Sequence, residues 1–278
     1  MKGVLLLLLC CFSLAAQAAT VTQKLGNGLV VRADYRKAAV GKPAVIVLHG
    51  FLQTHEFPTG YRLAEGINAD GFTVPAPTLS LGVTHRQQSL ACEAIHAHTM
   101  QDAVDEIGAW VRWLKKRHKG PIMLVSHSFG SVEALAYLSG KPDPAITRFI
   151  GISIIEGRLK LSAAARERLI AKLKEAVRTG TPRVVTHQFS YCQNYLATPA
   201  GLLSYLEWTP TRVLDAASHL RPRSLYIMGG QDERLGEGWV DLLAKHNRVN
   251  IIEGANHFMD GEHEFDLLDA VLKELNAS

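Results

Sequence analysis

Short apolar runs alternate along this chain with segments whose apolar residues recur every three or four positions. The runs are rich in Val, Ile, Leu and Phe and have the length of buried strands, at 44–48, 122–125, 149–155, 224–228 and 249–252. Helical spacing extends from Met100 to Leu114, and further helices are predicted over 61–68, 237–245 and 262–275. This alternation predicts an α/β fold with a mostly parallel central sheet and helices on both faces.

The N-terminal third contains shorter strand patterns. Strands at 21–25 and 29–33 flank a Gly-Asn-Gly turn, which predicts an antiparallel hairpin. A short strand is also predicted over 72–74, where Pro75 and Pro77 are expected to end it.

Two stretches depart from the alternation of strands and helices. Residues 78–99 form a long irregular segment, and loops of such length often have a function. From 157 to about 220 the chain shows no clear strand and has helix-like segments over 162–178, 182–195 and 199–206. We therefore expect a helical insertion over 157–220, in the position of a lid.

The turn that follows the strand at 122–125 has the sequence Ser-His-Ser-Phe-Gly, with Ser128 at its centre. Strong helix formers follow this turn. A serine at the apex of a sharp strand-to-helix turn, with small residues two positions away on either side, is the pattern of a nucleophile elbow. The first small residue is usually glycine, whereas here it is Ser126, which carries a Cβ. An ordinary strand-to-helix turn is the alternative interpretation.

Several polar motifs follow the predicted parallel strands, at the edge of the sheet where ligands of open α/β sheets bind. They are His-Gly-Phe at 49–51, the turn at 126–130, Gly-Gly-Gln-Asp at 229–232 and Gly-Ala-Asn-His at 254–257. Their order places a serine before an aspartate and the aspartate before a histidine. With these motifs the chain resembles the α/β-hydrolases over nearly all of residues 20–278.

The resemblance implies a catalytic triad. Ser128 would be the nucleophile and His257 the base that accepts its proton. Asp232 would orient and stabilise the imidazole. Glu156, which follows the preceding strand, is an alternative to Asp232, because some family members place the acid one strand earlier.

The same resemblance implies an oxyanion hole formed by the backbone N–H groups of Phe51 and Phe129, with Leu52 as the alternative to Phe51. His49 and His127 are expected to have structural roles. The implied reaction is cleavage of a carboxylic ester, or a related acyl bond, through a seryl acyl-enzyme with no metal or organic cofactor. A peptidase, a thioesterase or a non-catalytic binding protein of the same fold are the alternatives.

The first residues have the features of a secretory signal peptide. One lysine, a short apolar core and a small-residue segment that ends at Ala19 predict a cleaved peptide over 1–19, although an uncleaved anchor is the alternative. Cleavage would leave only Cys92 and Cys192. In an oxidising compartment an even pair predicts a disulfide, and two separate buried thiols are the alternative. We expect a secreted or periplasmic protein.

Charge and the remaining motifs narrow the set of partners. The formal net charge of +4 is too small to indicate nucleic acid, and no segment beyond the leader resembles a membrane span. Glu93, His96 and His98 could bind zinc, but their spacing matches no zinc motif, and a polar loop beside the site is the alternative. A basic, amphipathic segment over 158–183 is either a solvated face of the lid or a surface for anionic lipids or an acidic substrate. We expect a small-molecule ester or acyl substrate, and the sequence leaves the oligomeric state open.

Overall fold

A computed structural model of the chain describes residues 18–38, 41–156, 161–180 and 183–277. The predicted signal peptide falls, except for its last two residues, outside this part of the chain. Within the described ranges, no helix combines the length and the apolarity needed to cross a membrane.

The described residues alternate between strands and helices as the sequence predicts. The strands are β1 (Ala19–Lys24), β2 (Val30–Arg36), β3 (Ala44–Leu48), β4 (Val74–Thr78), β5 (Ile122–His127), β6 (Ile146–Ile152), β7 (Val185–Phe189), β8 (Cys192–Ala197), β9 (Arg223–Gly229) and β10 (Val249–Ile252). The helices are α1 (Pro58–Ala69), α2 (Met100–Lys115), α3 (Phe129–Ser139), α4 (Ala163–Arg178), α5 (Pro199–Leu206), α6 (Pro210–Ser218), α7 (Trp239–Ala244) and α8 (Glu264–Leu275).

The centre of the fold is a parallel sheet of five strands in the order β10-β9-β6-β5-β3. Strands β3 and β5 are buried on both faces, because alternate side chains enter different cores. Ile46 and Leu48 of β3 pack in the core that contains α2 and α3. Val45 and Val47 pack in the core that contains α1 and α8. The predicted parallel sheet with helices on both faces is confirmed.

Helix α2 shows how local sequence sets the boundaries of an element. The Thr99 hydroxyl accepts the Asp102 N–H at 3.2 Å, and the Asp102 carboxylate accepts the Thr99 N–H in return, which forms a capping box. The apolar stripe then places Ile107, Val111 and Leu114 in the core, where all three are fully buried. The predicted amphipathic helix is confirmed.

The short strand predicted over 72–74 lies further along the chain, as β4, and the prediction that Pro75 and Pro77 end it is wrong. β4 pairs antiparallel with β2 over its whole length. Val45 of β3 donates its N–H to the Thr73 carbonyl at 2.9 Å, so odd-numbered residues of this segment direct their polar groups toward β3. The two prolines therefore interrupt pairing with β3 and leave the pairing with β2 in place.

The insertion is not wholly helical, and the helix predicted over 182–195 is wrong. The antiparallel hairpin β7–β8 occupies this segment, between α4 and α5. Tyr195 and Ala197 of β8 are buried on one face of the hairpin, and Cys192 is buried beyond a shift in the hairpin register. The hairpin also contacts the long loop before α2, because the His96 N–H donates to the Leu196 carbonyl at 2.9 Å. Backbone pairing with this distant loop favours a strand where the local pattern suggested a helix.

The structure contains the expected disulfide between Cys92 and Cys192, whose Cα atoms are 5.5 Å apart. Cys92 lies in the long loop before α2, and Cys192 is the first residue of β8. The bridge therefore joins the hairpin of the insertion to the body of the domain.

Replacing both cysteines with serine should lower the free energy of unfolding by about 2–5 kcal/mol. The bridged residues are 100 apart in sequence, so the bridge removes a large amount of chain entropy from the unfolded state. Urea unfolding of the parent and of the double variant, each with and without reductant, measures the effect. Reductant should move the parent to the midpoint of the double variant and leave the double variant unchanged. Two titratable thiols in the native, non-reduced parent would contradict the bridge.

Candidate active site

The turn between β5 and α3 has the geometry of a nucleophile elbow. Ser128 has φ 56° and ψ −126°, a backbone conformation that non-glycine residues rarely adopt. The turn is held by neighbouring backbone, because the Ser128 N–H donates to the Ile152 carbonyl of β6 at 2.8 Å. The serine hydroxyl consequently projects at the end of the sheet.

The residues two positions before and two positions after Ser128 are small for different reasons. A Cβ at Gly130 would lie 2.1 Å from the carbonyl oxygen of His49, so only glycine fits there. Ser126, which replaces the usual glycine, is buried, and its hydroxyl is 3.2 Å from the hydroxyl of Ser131. The first position of the elbow therefore has room for a Cβ and a partner for the hydroxyl.

The three side chains expected to form the triad meet at one edge of the sheet. Ser128 follows β5, Asp232 follows β9, and His257 follows β10. The distance from His257 Nε2 to Ser128 Oγ is 2.8 Å, and from His257 Nδ1 to Asp232 Oδ2 it is 2.7 Å. With Asp232 as acceptor, Nδ1 carries the imidazole proton and Nε2 is free to accept the proton of the serine.

Burial and a further hydrogen bond hold the aspartate in place. The side chain of Asp232 is 0% exposed and that of His257 is 5% exposed, so water competes little for their hydrogen bond. The second carboxylate oxygen, Oδ1, accepts the backbone N–H of Arg234 at 3.0 Å. Glu156, the alternative acid, is buried and lines the same cleft, but Asp232 is the carboxylate in contact with the imidazole.

His127 contacts the backbone and the ring of His257. Its Nε2 is 2.9 Å from the carbonyl oxygen of His257, and the two rings are 5.2 Å apart. Burial, and next the electrostatic interaction with the His257 ring, lower the pKa of His127 to about 3, so the His127 ring is neutral at physiological pH. The sequence placed His127 beside the nucleophile but contained no sign of this contact across 130 residues.

The two residues predicted to supply the oxyanion hole lie next to each other. Phe129 is the first residue of α3, where backbone N–H groups have no partner within the helix. Phe51 lies in the loop after β3, and its ring centroid is 5.4 Å from that of Phe129. Leu52, the alternative donor, has φ 57° in the same loop.

A cleft of about 450 Å³ opens onto Ser128 and His257. The tip of the β7–β8 hairpin forms one wall, and the hydroxyl of Tyr191 at this tip donates to the carbonyl oxygen of Phe51 at 3.3 Å. Polar and apolar side chains both line the cleft, and the apolar ones are Phe51, Ile155, Phe189, Tyr191, Leu235 and Phe258. A larger, open groove of about 1490 Å³ runs along α2 and contains none of the three triad residues.

The residues considered for zinc are not arranged around a common point. The His96 ring stacks on Tyr195 at 4.4 Å, and Glu93 is exposed. His98 is buried, and this burial lowers its pKa to about 3. Among the described residues, no group of three or more His, Cys, Asp or Glu is placed to hold a metal ion.

The parallel sheet, the elbow and the lid-like insertion together define an α/β-hydrolase fold. A model of the Alpha/beta hydrolase family matches residues 45–270, and the chain belongs to this family. No curated protein matches the chain significantly.

Solved structures support the fold at low sequence identity. The alpha/beta hydrolase GrgF from Penicillium sp. sh18 is 15% identical with a TM-score of 0.71, over 93% of this chain and 98% of that chain. Est1E from Butyrivibrio proteoclasticus is 17% identical with a TM-score of 0.65, over 94% of this chain and 99% of that one. The thioesterase domain from the curacin biosynthetic pathway is 16% identical with a TM-score of 0.61, over 94% of this chain and 100% of that chain.

Proposed function

We propose that the protein is a serine hydrolase that cleaves a carboxylic ester through a seryl acyl-enzyme. The observation that carries this proposal is the continuous pair of hydrogen bonds from Ser128 to His257 and from His257 to Asp232, at 2.8 and 2.7 Å. A serine hydroxyl is a weak nucleophile until a neighbouring base accepts its proton, and this arrangement supplies the base and its orienting carboxylate.

The proposed reaction has two halves. His257 accepts the proton of Ser128 as the oxygen attacks the ester carbonyl, and the N–H groups of Phe51 and Phe129 stabilise the resulting oxyanion. The tetrahedral intermediate collapses as His257 returns the proton to the leaving alcohol, which leaves an acyl group on the serine. Water, deprotonated by His257, then releases the acid and restores the enzyme.

The lining of the cleft favours a substrate with an apolar or aromatic group of moderate size. Phe51, Phe189 and Tyr191 surround the space beside the serine, and aromatic walls bind flat or aliphatic groups through burial and ring contacts. A structure of Est1E, one of the similar proteins, has ferulic acid bound. We extend the proposal to esters of aromatic or medium-chain acids, with thioesters as the second class to be compared.

We also propose that the protein is secreted or periplasmic. The features of residues 1–19 are those of a cleaved signal peptide, and the disulfide between Cys92 and Cys192 suits an oxidising compartment.

Purified protein should hydrolyse p-nitrophenyl esters of aromatic or medium-chain acids and release a burst of p-nitrophenol equivalent to the enzyme concentration. The burst is expected because p-nitrophenolate is a good leaving group, which makes acylation faster than hydrolysis of the acyl-enzyme. Matched thioesters and anilides of the same acids, measured by rapid mixing, separate the bond classes. If no ester, thioester or anilide is cleaved and a fluorophosphonate leaves the folded protein unlabelled, the non-catalytic alternative is correct.

A further inference from the structure

Arg86 lies in the long loop between β4 and α2, and it is only 4% exposed. Each nitrogen of its guanidinium has a backbone partner. Nε donates to the Leu79 carbonyl at 2.7 Å, and Nη1 donates to the carbonyls of Gln88 at 2.9 Å and Leu52 at 3.3 Å. Nη2 donates to the Gln53 carbonyl at 2.6 Å. The oxygens that accept from Arg86 are neutral backbone carbonyls, so this buried cation holds backbone segments together, while burial lowers its pKa and the charges of Glu106 and Glu133 act to raise it.

The same guanidinium determines the protonation of His49. Arg86 Nη2 lies 3.2 Å from His49 Nε2, and the backbone N–H of Leu79 donates to the same nitrogen at 3.0 Å. Both neighbours are donors only, so Nε2 must present a lone pair, and Nδ1 carries the proton that it donates to the Gly50 carbonyl at 2.8 Å. Burial, and next the charge of Arg86, lower the pKa of His49 to about 3. The His49 ring therefore stays neutral, with its one proton on Nδ1.

These contacts lie on both sides of Phe51, whose backbone N–H is one of the two proposed oxyanion donors. On one side of Phe51, the Gly50 N–H donates to the side-chain oxygen of Gln53 at 3.0 Å. On the other side, the carbonyls of Leu52 and Gln53 accept from Arg86. Leu52 has φ 57°, so the loop adopts a conformation that an unsupported chain rarely samples. The loop therefore needs external contacts to keep this shape.

We propose that Arg86 is a positioning residue for acyl transfer, whose guanidinium fixes loop 49–53 so that the loop donates an N–H to the oxyanion. The inference rests on the proposed function, since an oxyanion forms only if an acyl bond is cleaved. Preorganised donors stabilise a transition state because they need no rearrangement when charge develops. A guanidinium suits this role because its planar fork reaches several acceptors in fixed directions, whereas an ammonium group has three donors at one point.

Arg86→Met should lower kcat about 10²-fold, the cost typical of losing one oxyanion donor, while KM changes less than about threefold. Arg86→Lys keeps the charge but loses the fork, and it should recover only part of the activity. The affinity for a boronic acid that forms a tetrahedral adduct with the serine should fall by the same factor as kcat/KM. A residue that only stabilises the fold would lower the melting temperature without this selective loss.

Arg148→Met is the matched control. Arg148 is also a buried arginine, 7% exposed, that donates to backbone carbonyls of Glu274 and Ala277, and its Nε lies 3.7 Å from the Glu274 carboxylate. It lies near the start of β6, whereas the triad follows the ends of the parallel strands. Its replacement should lower the melting temperature and leave kcat within about twofold of the parent, since it touches no part of the site.

Hydrogen exchange provides a readout that does not depend on activity. Peptides that contain residues 49–53 should exchange faster in both Arg86 variants than in the parent, and should be unchanged in Arg148→Met. If the parent cleaves no acyl bond, the proposed function fails, and the exchange data still decide whether Arg86 orders the loop. If Arg86→Lys and Arg86→Met match the parent in kcat and in exchange at 49–53, the inference is overturned.

Discussion

Ser128→Ala should lower kcat for ester hydrolysis by about 10⁶-fold and abolish labelling by a fluorophosphonate. The variant should retain the fold, because alanine keeps the Cβ and lacks only the hydroxyl, but it has no oxygen for His257 to activate. The residual rate would come from the oxyanion donors and substrate binding alone. Steady-state kinetics on the best ester and mass spectrometry of the labelled protein measure the two effects.

Ser126→Ala is the control for this substitution, because it removes a hydroxyl from the same turn without touching the nucleophile. The Ser126 hydroxyl bonds to Ser131, so the variant should lose some stability and keep kcat within about tenfold of the parent. If the fluorophosphonate labels Ser128→Ala to the same extent as the parent, the nucleophile is a residue other than Ser128.

Asp232→Asn should lower kcat by about 10⁴-fold near neutral pH. The carboxylate accepts the Nδ1 proton of His257 at 2.7 Å, which directs the lone pair of Nε2 toward the serine. An amide can offer an N–H in its place and so favour the opposite tautomer, in which Nε2 carries the proton and cannot act as a base. Kinetics of the parent and variant from pH 6 to 9 would measure this loss.

Glu156→Gln tests the alternative acid at the same time. Glu156 lines the cleft but is not the carboxylate in contact with His257, so this variant should retain at least about a hundredfold more activity than Asp232→Asn. If Glu156→Gln proves the more damaging of the two, the acid of the triad is the residue that follows β6.

The fold could be predicted from the sequence because its causes are local, and the resemblance to the α/β-hydrolases drew attention to Ser128, Asp232 and His257. A strand that is buried on both faces needs a continuous apolar run, as at Ala44–Leu48 in β3. The turn around Ser128 needs small residues two positions away, and Gly130 shows why, since a Cβ there would meet the His49 carbonyl. Such requirements appear directly in the order of residues.

The errors arose where distant contacts outweigh local preference. The local pattern over 182–195 suggested a helix, whereas residues 185–197 form the β7–β8 hairpin, which the disulfide and the loop at His96 hold in place. Pro75 and Pro77 are tolerated inside β4 because β2 pairs with the opposite edge from the one that they block. In both cases the segment pairs with residues that are distant in sequence, and a local pattern of a few residues contains no information about them.

The sequence by itself determined the class of fold, the order of the triad residues and the pair of cysteines. Each of these depends on residue type and on spacing over a few positions. Only the tertiary structure decided which acid reaches His257, how the tip of the β7–β8 hairpin lines the cleft, and that Arg86 bonds to the loop around Phe51. Those outcomes depend on distances of about 3 Å between atoms that are tens of residues apart, and loop packing sets such distances.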